Sequence, residues 1–345
     1  MRMTLLELLR CPQTGTSLSV EDELIDGVEV KSGWLVSADR RHRYPVRDAI
    51  PRFVPETNYA DSFGMQWTHF RRTQLDSNSG HPISAKRFWK STQWAPQALA
   101  GEWVLDVGCG AGRFAEVVLD TGARVVALDY SNAVDACYAN LKHHPNLHVV
   151  QGDIYSLPFA PEIFAYVYCL GVLQHTPDVA KAFSTLPRML RPNGQLCTDF
   201  YEKTWTALLH PKYLLRPLTK RLPRDVLFRI VQRGVPVLLP ISRTIGRIPQ
   251  LGGLLSRLVP VANYYNILPL NDQQQKDWSL LDTFDWLSPQ YDHPQRSSVV
   301  RSWMQQAGMQ EIQVLKAGHL VARGKKSNKG AGELSLHEPT LTAAE

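Results

Sequence analysis

Acidic residues are almost missing from one stretch of this 345-residue chain. Between Lys203 and Ala262 stand eleven Lys and Arg against a single acid, Asp225. That stretch carries +10 of charge, and the rest of the chain is −4 within a total of +6. The protein is a mildly acidic body with one basic insert, so its overall positive charge is no signature of a nucleic-acid protein. Long apolar runs are also missing: none approaches the roughly 18 residues of a spanning helix. The start, MRMTLLELLR, interrupts a short apolar run with Glu7 and does not read as a secretory signal. The five cysteines, at 11, 109, 137, 169 and 197, form no CxxC pair and no dense framework. That excludes a disulfide scaffold and makes a reduced, cytoplasmic compartment the expectation. Apolar residues at 44% and charged residues at 20% exclude a wholly disordered chain. The length suits about two domains.

Local pattern divides the chain further. Residues 1–57 read as a small β-rich module. An apolar helix near Leu5–Leu9 meets Cys11-Pro12, then come the strand-like pieces LSVEDEL, VEVKSGWLVS and HRYPVRDAIPRFVP. The prolines of the last piece predict an edge or irregular strand. Residues 58–100 read as a helical lead-in. Tyr59, Phe63, Trp67 and Phe70 recur on one helical stripe, which either packs on the next domain or covers a ligand. From 101 to 202 strands and helices alternate, which predicts a parallel sheet with right-handed crossovers. Residues 203–290 are helix-like but interrupted by prolines at 211, 217, 223, 236, 240, 249, 260, 269 and 289. The α/β pattern resumes over 291–324 with a closing helix and two strands. The tail, 325–345, is polar and aperiodic, as a disordered segment is.

The chemistry concentrates in VLDVGCGAGRF, Val104–Phe114. A buried strand runs into Gly108, Gly110 and Gly112 and then a helix. Glycines let backbone N–H groups approach a ligand, and a helix start adds unpaired donors and a favourable field for an anion. In an open α/β sheet ligands bind at these carboxyl ends. Asp129 ends the second strand about twenty residues on, where a carboxylate accepts from paired ribose hydroxyls. Asp153 follows the third strand, where a carboxylate meets an adenine amino group while Ile154 packs on the ring.

In that combination the sequence resembles the class I S-adenosylmethionine-dependent methyltransferases. LDVGCGAGRF is similar to the family's first motif, LDY to its acidic loop, GDIYSLPF to its adenine-contacting motif and CLGVLQHTPD to the fourth-strand loop of the ubiquinone/menaquinone-biosynthesis type. The resemblance covers about 100–202 and resumes at about 295–324. It implies a Rossmann-like seven-stranded α/β sheet whose last strand is antiparallel, and S-adenosyl-L-methionine as cofactor. It also implies Asp106, Gly108 and Gly110 near the methionine part, Asp129 on the ribose and Asp153 by the adenine, with Gly112, Tyr130, Ile154 and Leu170 as further cofactor-binding residues. LLELLRCP with RYPVRDAIPRFVP resembles the zinc-ribbon-like activator module of tRNA and protein methyltransferases. That module often binds zinc through cysteine pairs. Here Cys11 stands alone before residue 109, and a tetrahedral site needs about four ligands, so no metal is expected.

Methyl transfer asks the protein mainly to position an acceptor and, for some acceptors, to remove a proton. His175, after the fourth strand, is the candidate base; its other reading is a loop-ordering histidine beside Asp178. Trp67, Asp285, Tyr291, Asp292 and His293 are candidate acceptor-binding groups. For the four from DTFDWLSPQYDHPQ, a loop fastening the insert to the sheet is the competing reading. Cys109 reads as a small filler. The basic insert, 203–262, mixes aliphatic runs with arginine. That suits an anionic membrane surface, a pocket for a phosphate-linked lipid or sugar, or a solvated helical face. Without clustered stacking aromatics it argues against nucleic acid. The expected function is methylation of a small or lipid-linked metabolite, on oxygen by preference, in the cytoplasm or at the inner face of its membrane. An RNA methyltransferase and a non-catalytic cofactor-binding scaffold are the alternatives.

Overall fold

A computed structural model describes residues 1–55, 69–204 and 211–328. The elements in chain order begin with α1 (Met3–Leu6), β1 (Leu18–Asp26), β2 (Glu29–Ser37), β3 (Arg43–Arg47) and β4 (Ile50–Pro51). Then come α2 (Ile83–Thr92), β5 (Trp103–Val107), α3 (Arg113–Leu119), β6 (Arg124–Asp129), α4 (Ala133–Leu141), β7 (Leu147–Gln151), β8 (Phe164–Cys169), α5 (Val179–Met189) and β9 (Leu190–Phe200). The insert supplies α6 (Pro211–Thr219), α7 (Arg224–Gly246) and α8 (Asp272–Leu287). The chain closes with α9 (Ser297–Gln306), β10 (Met309–Ala317) and β11 (His319–Lys326).

Seven strands form one sheet in the order β10-β11-β9-β8-β5-β6-β7. β5 pairs in parallel with both β6 and β8, β6 with β7, and β8 with β9. β11 lies antiparallel between β9 and β10. The sheet is therefore the Rossmann-like one with its last strand reversed. Its period-2 side chains feed two cores. Leu105, Val107, Val126 and Leu128 face one; Val104, Val125 and Ala127 face the other. α5 and α9 cover the first face, while α2, α3 and α4 cover the second. The last strand runs to Lys326, with Lys325 paired to both Gln195 and Gln310. The tail expected from 325 thus begins with two strand residues, held because a neighbouring strand lies on each side; residues 329–345 lie outside the described residues.

The N-terminal sheet is antiparallel, β1-β2-β3-β4. β3 is flanked by strands on both sides, although β4 covers only Val46 and Arg47 and leaves Pro45 beyond its ladder. The module packs onto the larger sheet. Phe53 N–H donates to Gln151 O at 2.8 Å, Arg10 N–H to Pro158 O at 2.9 Å and Ala160 N–H to Leu8 O at 2.9 Å. Leu5, Leu9 and Val30 join the same core as Val150, Ile154 and Phe159. Arg52 adds hydrogen bonds to Asp135 and to Gln151 Oε1 at 2.9 Å.

The insert differs most from its sequence pattern. α7 is one helix of 23 residues that passes through Pro236 and Pro240. Each interior proline removes a backbone hydrogen bond. Both face solvent, while Leu227, Val231, Val235 and Leu239, spaced by four, are buried against Leu280, Leu281, Phe284 and Leu287 of α8. Burial of that stripe overrides the local penalty. α8 starts from a capping box in which Asn271 accepts from Gln274 N–H at 2.9 Å and Gln274 reaches back. Phe70 is buried in this insert core; Tyr59, Phe63 and Trp67 lie outside the described residues. Among the described residues, no helix is long and apolar enough to cross a membrane.

Candidate active site

The β5–α3 loop is shaped by three glycines with positive φ: Gly108 (83°), Gly110 (53°) and Gly112 (93°). They do different work. A Cβ on Gly108 would stand 2.3 Å from a Val172 methyl, so only glycine lets the fourth-strand loop close over this one. Gly110 N–H donates to Asp129 Oδ2 at 2.9 Å. Gly112 faces the other way: a Cβ there would meet Leu141 Cδ1 at 2.6 Å and Cys137 Sγ at 3.1 Å, so it seats α3 on α4.

Above the loop opens a cavity of about 270 Å³. One wall is Val107 to Ala111, Asp129, Tyr130, Gly152, Ile154, Leu170 and Val172. Asp129 is pinned from three sides. Besides Gly110, Ser131 donates its N–H at 2.8 Å and its hydroxyl at 2.7 Å to Oδ1. Burial still pushes the carboxyl above the usual range, against those bonds. Oδ1 is filled by the two Ser131 donors, and Oδ2 keeps a lone pair for a further donor. Asp106, Gly112 and Asp153 do not line the cavity. Asp153 sits between Gly152 and Ile154 and accepts from Tyr155 N–H at 2.9 Å. Asp106 is buried beneath the loop, its pKa raised from 3.8 to about 8 by desolvation. Its Oδ2 has no hydrogen-bond partner among the described residues.

The rest of the lining is drawn from the whole length of the chain: Arg87, Arg113, His175, Tyr201, Tyr264, Asp282, Asp285, Trp286 and His319. His175 is buried, its ring edge-on to Tyr201 at 5.5 Å. Its Nδ1 lies 3.0 Å from Tyr291 O, and a carbonyl only accepts, so Nδ1 carries the proton and Nε2 is the basic nitrogen of the neutral ring. Asp199, at the end of β9, takes Arg87 at 2.8 Å and the Gly171 N–H, tying α2 to the fourth-strand loop. Arg113 bonds Ser84 Oγ at 2.9 Å and Gln74 Oε1 at 3.0 Å and stacks over Trp278 of α8, so the glycine loop and the insert share one cation. Tyr264 donates to Asp282, whose carboxyl burial pushes up to about 6. His319 is held neutral by burial, its pKa lowered to about 4.

Of the acceptor-side candidates, Asp285 lines this cavity. Tyr291, Asp292 and His293 line a neighbouring one. Asp292 is bound to Lys212 at 2.9 Å with Arg216 at 3.8 Å, and His293 N–H donates to Gln174 O at 2.8 Å. These contacts tie the loop to the insert and to the fourth-strand loop. Arg87, Tyr201, Tyr264 and His319 carried no local signal, whereas Asp282 and Trp286 belong to the polar aromatic run DTFDWLSPQYDHPQ. Asp199 carried a signal, as an acid at the carboxyl end of a strand.

Residues 105–198 match the family model of a methyltransferase domain, and residues 2–48 match that of a Trm112p-like protein. The chain carries a methyltransferase domain behind a Trm112p-like module. It is 33% identical over 129 residues to a ubiquinone biosynthesis O-methyltransferase of Pseudomonas fluorescens, covering 36% of this chain and 56% of that protein. It is 32% identical over 124 residues to a demethylmenaquinone methyltransferase of Renibacterium salmoninarum, covering 35% and 52%. The chain spans about half the length of these curated relatives. A solved structure of magnesium protoporphyrin IX methyltransferase from Synechocystis overlaps 78% of this chain and 97% of its own, with a TM-score of 0.41 and 15% identity.

The methyltransferase domain implies S-adenosylmethionine, and the residues present fit it. A glycine cradle that a Cβ would fill and the carboxylate bonded to it line one cavity, with the apolar Ile154 and Leu170 beside them. The orphaned Asp106 oxygen suits a nearby cationic amino group.

Proposed function

We propose that the chain is an S-adenosylmethionine-dependent methyltransferase acting on a small or lipid-linked metabolite, with oxygen the preferred acceptor atom. The observation that carries this is the single cavity joining the glycine loop and Asp129 to an acceptor wall of buried titratable and aromatic side chains. S-adenosylmethionine, when bound, supplies an electrophilic methyl group for in-line displacement. Gly108 and Gly110 admit the methionine part close to the backbone, with Asp106 beneath them and Gly112 holding α3 in place. Asp129 accepts from the ribose, with Tyr130 beside it. Asp153, Ile154 and Leu170 surround the adenine. His175 Nε2 takes the proton of an acceptor hydroxyl, its ring held by the Tyr291 carbonyl. Asp285 binds the acceptor from α8. A lipid-linked acceptor sets the work at the inner face of a membrane, approached from the cytoplasm.

The test is calorimetric titration with S-adenosylmethionine. Asp129→Ala removes the acceptor of Gly110 N–H and is expected to weaken binding about thirtyfold, near 2 kcal/mol. Unchanged affinity in a folded variant would sink the assignment.

A further inference from the structure

The cavity beside the active site is the larger of the two, at about 570 Å³, and it is basic. Arg216, Lys220, Arg221 and Arg224 line it, with Tyr213 and Tyr291. Its one carboxylate, Asp292, is already engaged by Lys212 and Arg216. Arg216 forms the floor: it is buried, and its guanidinium donates to Trp286 O at 3.1 Å and Pro289 O at 2.8 Å. Lys220 and Arg221 are exposed at the rim, with no acidic partner among the described residues. Lys220 and Arg221 at the rim of a basic cavity call for an anion with several acceptor oxygens.

The rim is also greasy. Leu214 and Leu218 stand one helical turn apart on α6, 76% and 67% exposed, and Leu222 lies in the cavity wall, 38% exposed. Farther along the insert Leu251, Leu254 and Leu258 are exposed as well. Soluble surfaces scatter such residues singly; a row of them beside the exposed Lys220 and Arg221 marks a contact surface. Leucines at the rim offer nothing to RNA or to a free phosphate ester. They suit the acyl boundary of a bilayer, with the cations at headgroup depth.

We infer that the basic cavity between α6 and the 288–293 loop receives the phosphate headgroup of an anionic lipid, while Leu214, Leu218 and Leu222 enter the acyl boundary of the same membrane. This deepens the reading of an enzyme working at a membrane face, on which its biological purpose rests. Docking itself needs neither the cofactor nor an acceptor. The floor also belongs to the active site's frame: Arg216 grips the end of α8, which carries Asp285, and Tyr291 O orients His175. Docking therefore sets the acceptor wall against the membrane.

The experiment is sedimentation of the full chain with phosphatidylcholine vesicles, with and without phosphatidylglycerol, at low salt. Pelleting with the anionic vesicles alone is expected. Lys220→Ala/Arg221→Ala should bind about thirtyfold more weakly, roughly 1 kcal/mol for each cation. Leu214→Ser/Leu218→Ser should lose at least about tenfold. Lys86→Glu/Lys142→Glu, which changes charge away from the cavity, should pellet as the parent does. S-adenosylmethionine titration of every variant checks folding and tests the cofactor reading separately. Equal pelleting with both vesicle types, or by the Lys220/Arg221 variant, overturns the headgroup site. Saturable binding of inorganic phosphate or glycerol phosphate without pelleting overturns it in favour of a soluble phosphorylated ligand.

Discussion

Asp106 and Gly108 show how much a single side chain decides here. Asp106 is buried without a counter-charge, and its pKa rises to about 8. Below pH about 4 it is protonated both folded and unfolded. As pH climbs from about 4 to about 8, the unfolded chain ionises and the folded one resists, so stability falls across that window. Asp106→Asn should flatten the pH dependence of the melting temperature between those values; parallel curves for parent and variant would refute the buried-acid account. Gly108→Ala meets two obstacles, φ of 83° and a Val172 methyl at 2.3 Å. Adding Val172→Ala relieves the second alone. Cofactor affinity should drop at least about tenfold in Gly108→Ala and recover only in part in the double variant. Full recovery would show that φ carries no cost.

At the scale of elements, the insert rests on the seam between α7 and α8. Leu227→Ala, at a site 2% exposed, should cost roughly 2–5 kcal/mol in chemical denaturation. Pro236→Ala should do the reverse, since the proline faces solvent inside a helix and is tolerated only because the opposite face is buried. A fall in stability would mean that the proline shapes the helix for its neighbours. The strands and helices of the sheet were legible because each period is local and the buried strands are apolar on both faces. The prolines misled for the complementary reason. They report local cost, whereas the spacing of Leu227, Val231, Val235 and Leu239 reports the burial that outweighs it.

At the scale of the molecule, the module and the sheet share one core. Phe159, 4% exposed, sits in it with Leu5 and Leu9 on one side and Phe164 on the other. Phe159→Ala should cost roughly 3–5 kcal/mol and make the segment after Pro51 sensitive to limited proteolysis. An unchanged cleavage pattern would show that the backbone bonds at Gln151 and Pro158 hold the module unaided.

The sequence by itself determined the α/β alternation, the glycine loop with Asp129 behind it, and the concentration of positive charge in one insert. All three are written in residues close together in the chain, where periodicity and turn chemistry act. Only the tertiary structure decided which side chains share the cavity with the glycine loop. Arg87, Tyr201, Asp282 and His319 come from four elements spread over more than two hundred positions, and nothing local marks them as neighbours. It also separated Asp285, on that cavity, from Tyr291, Asp292 and His293, which line the neighbouring one. That choice depends on which way a helix end turns as it packs, and packing is a property of the whole chain.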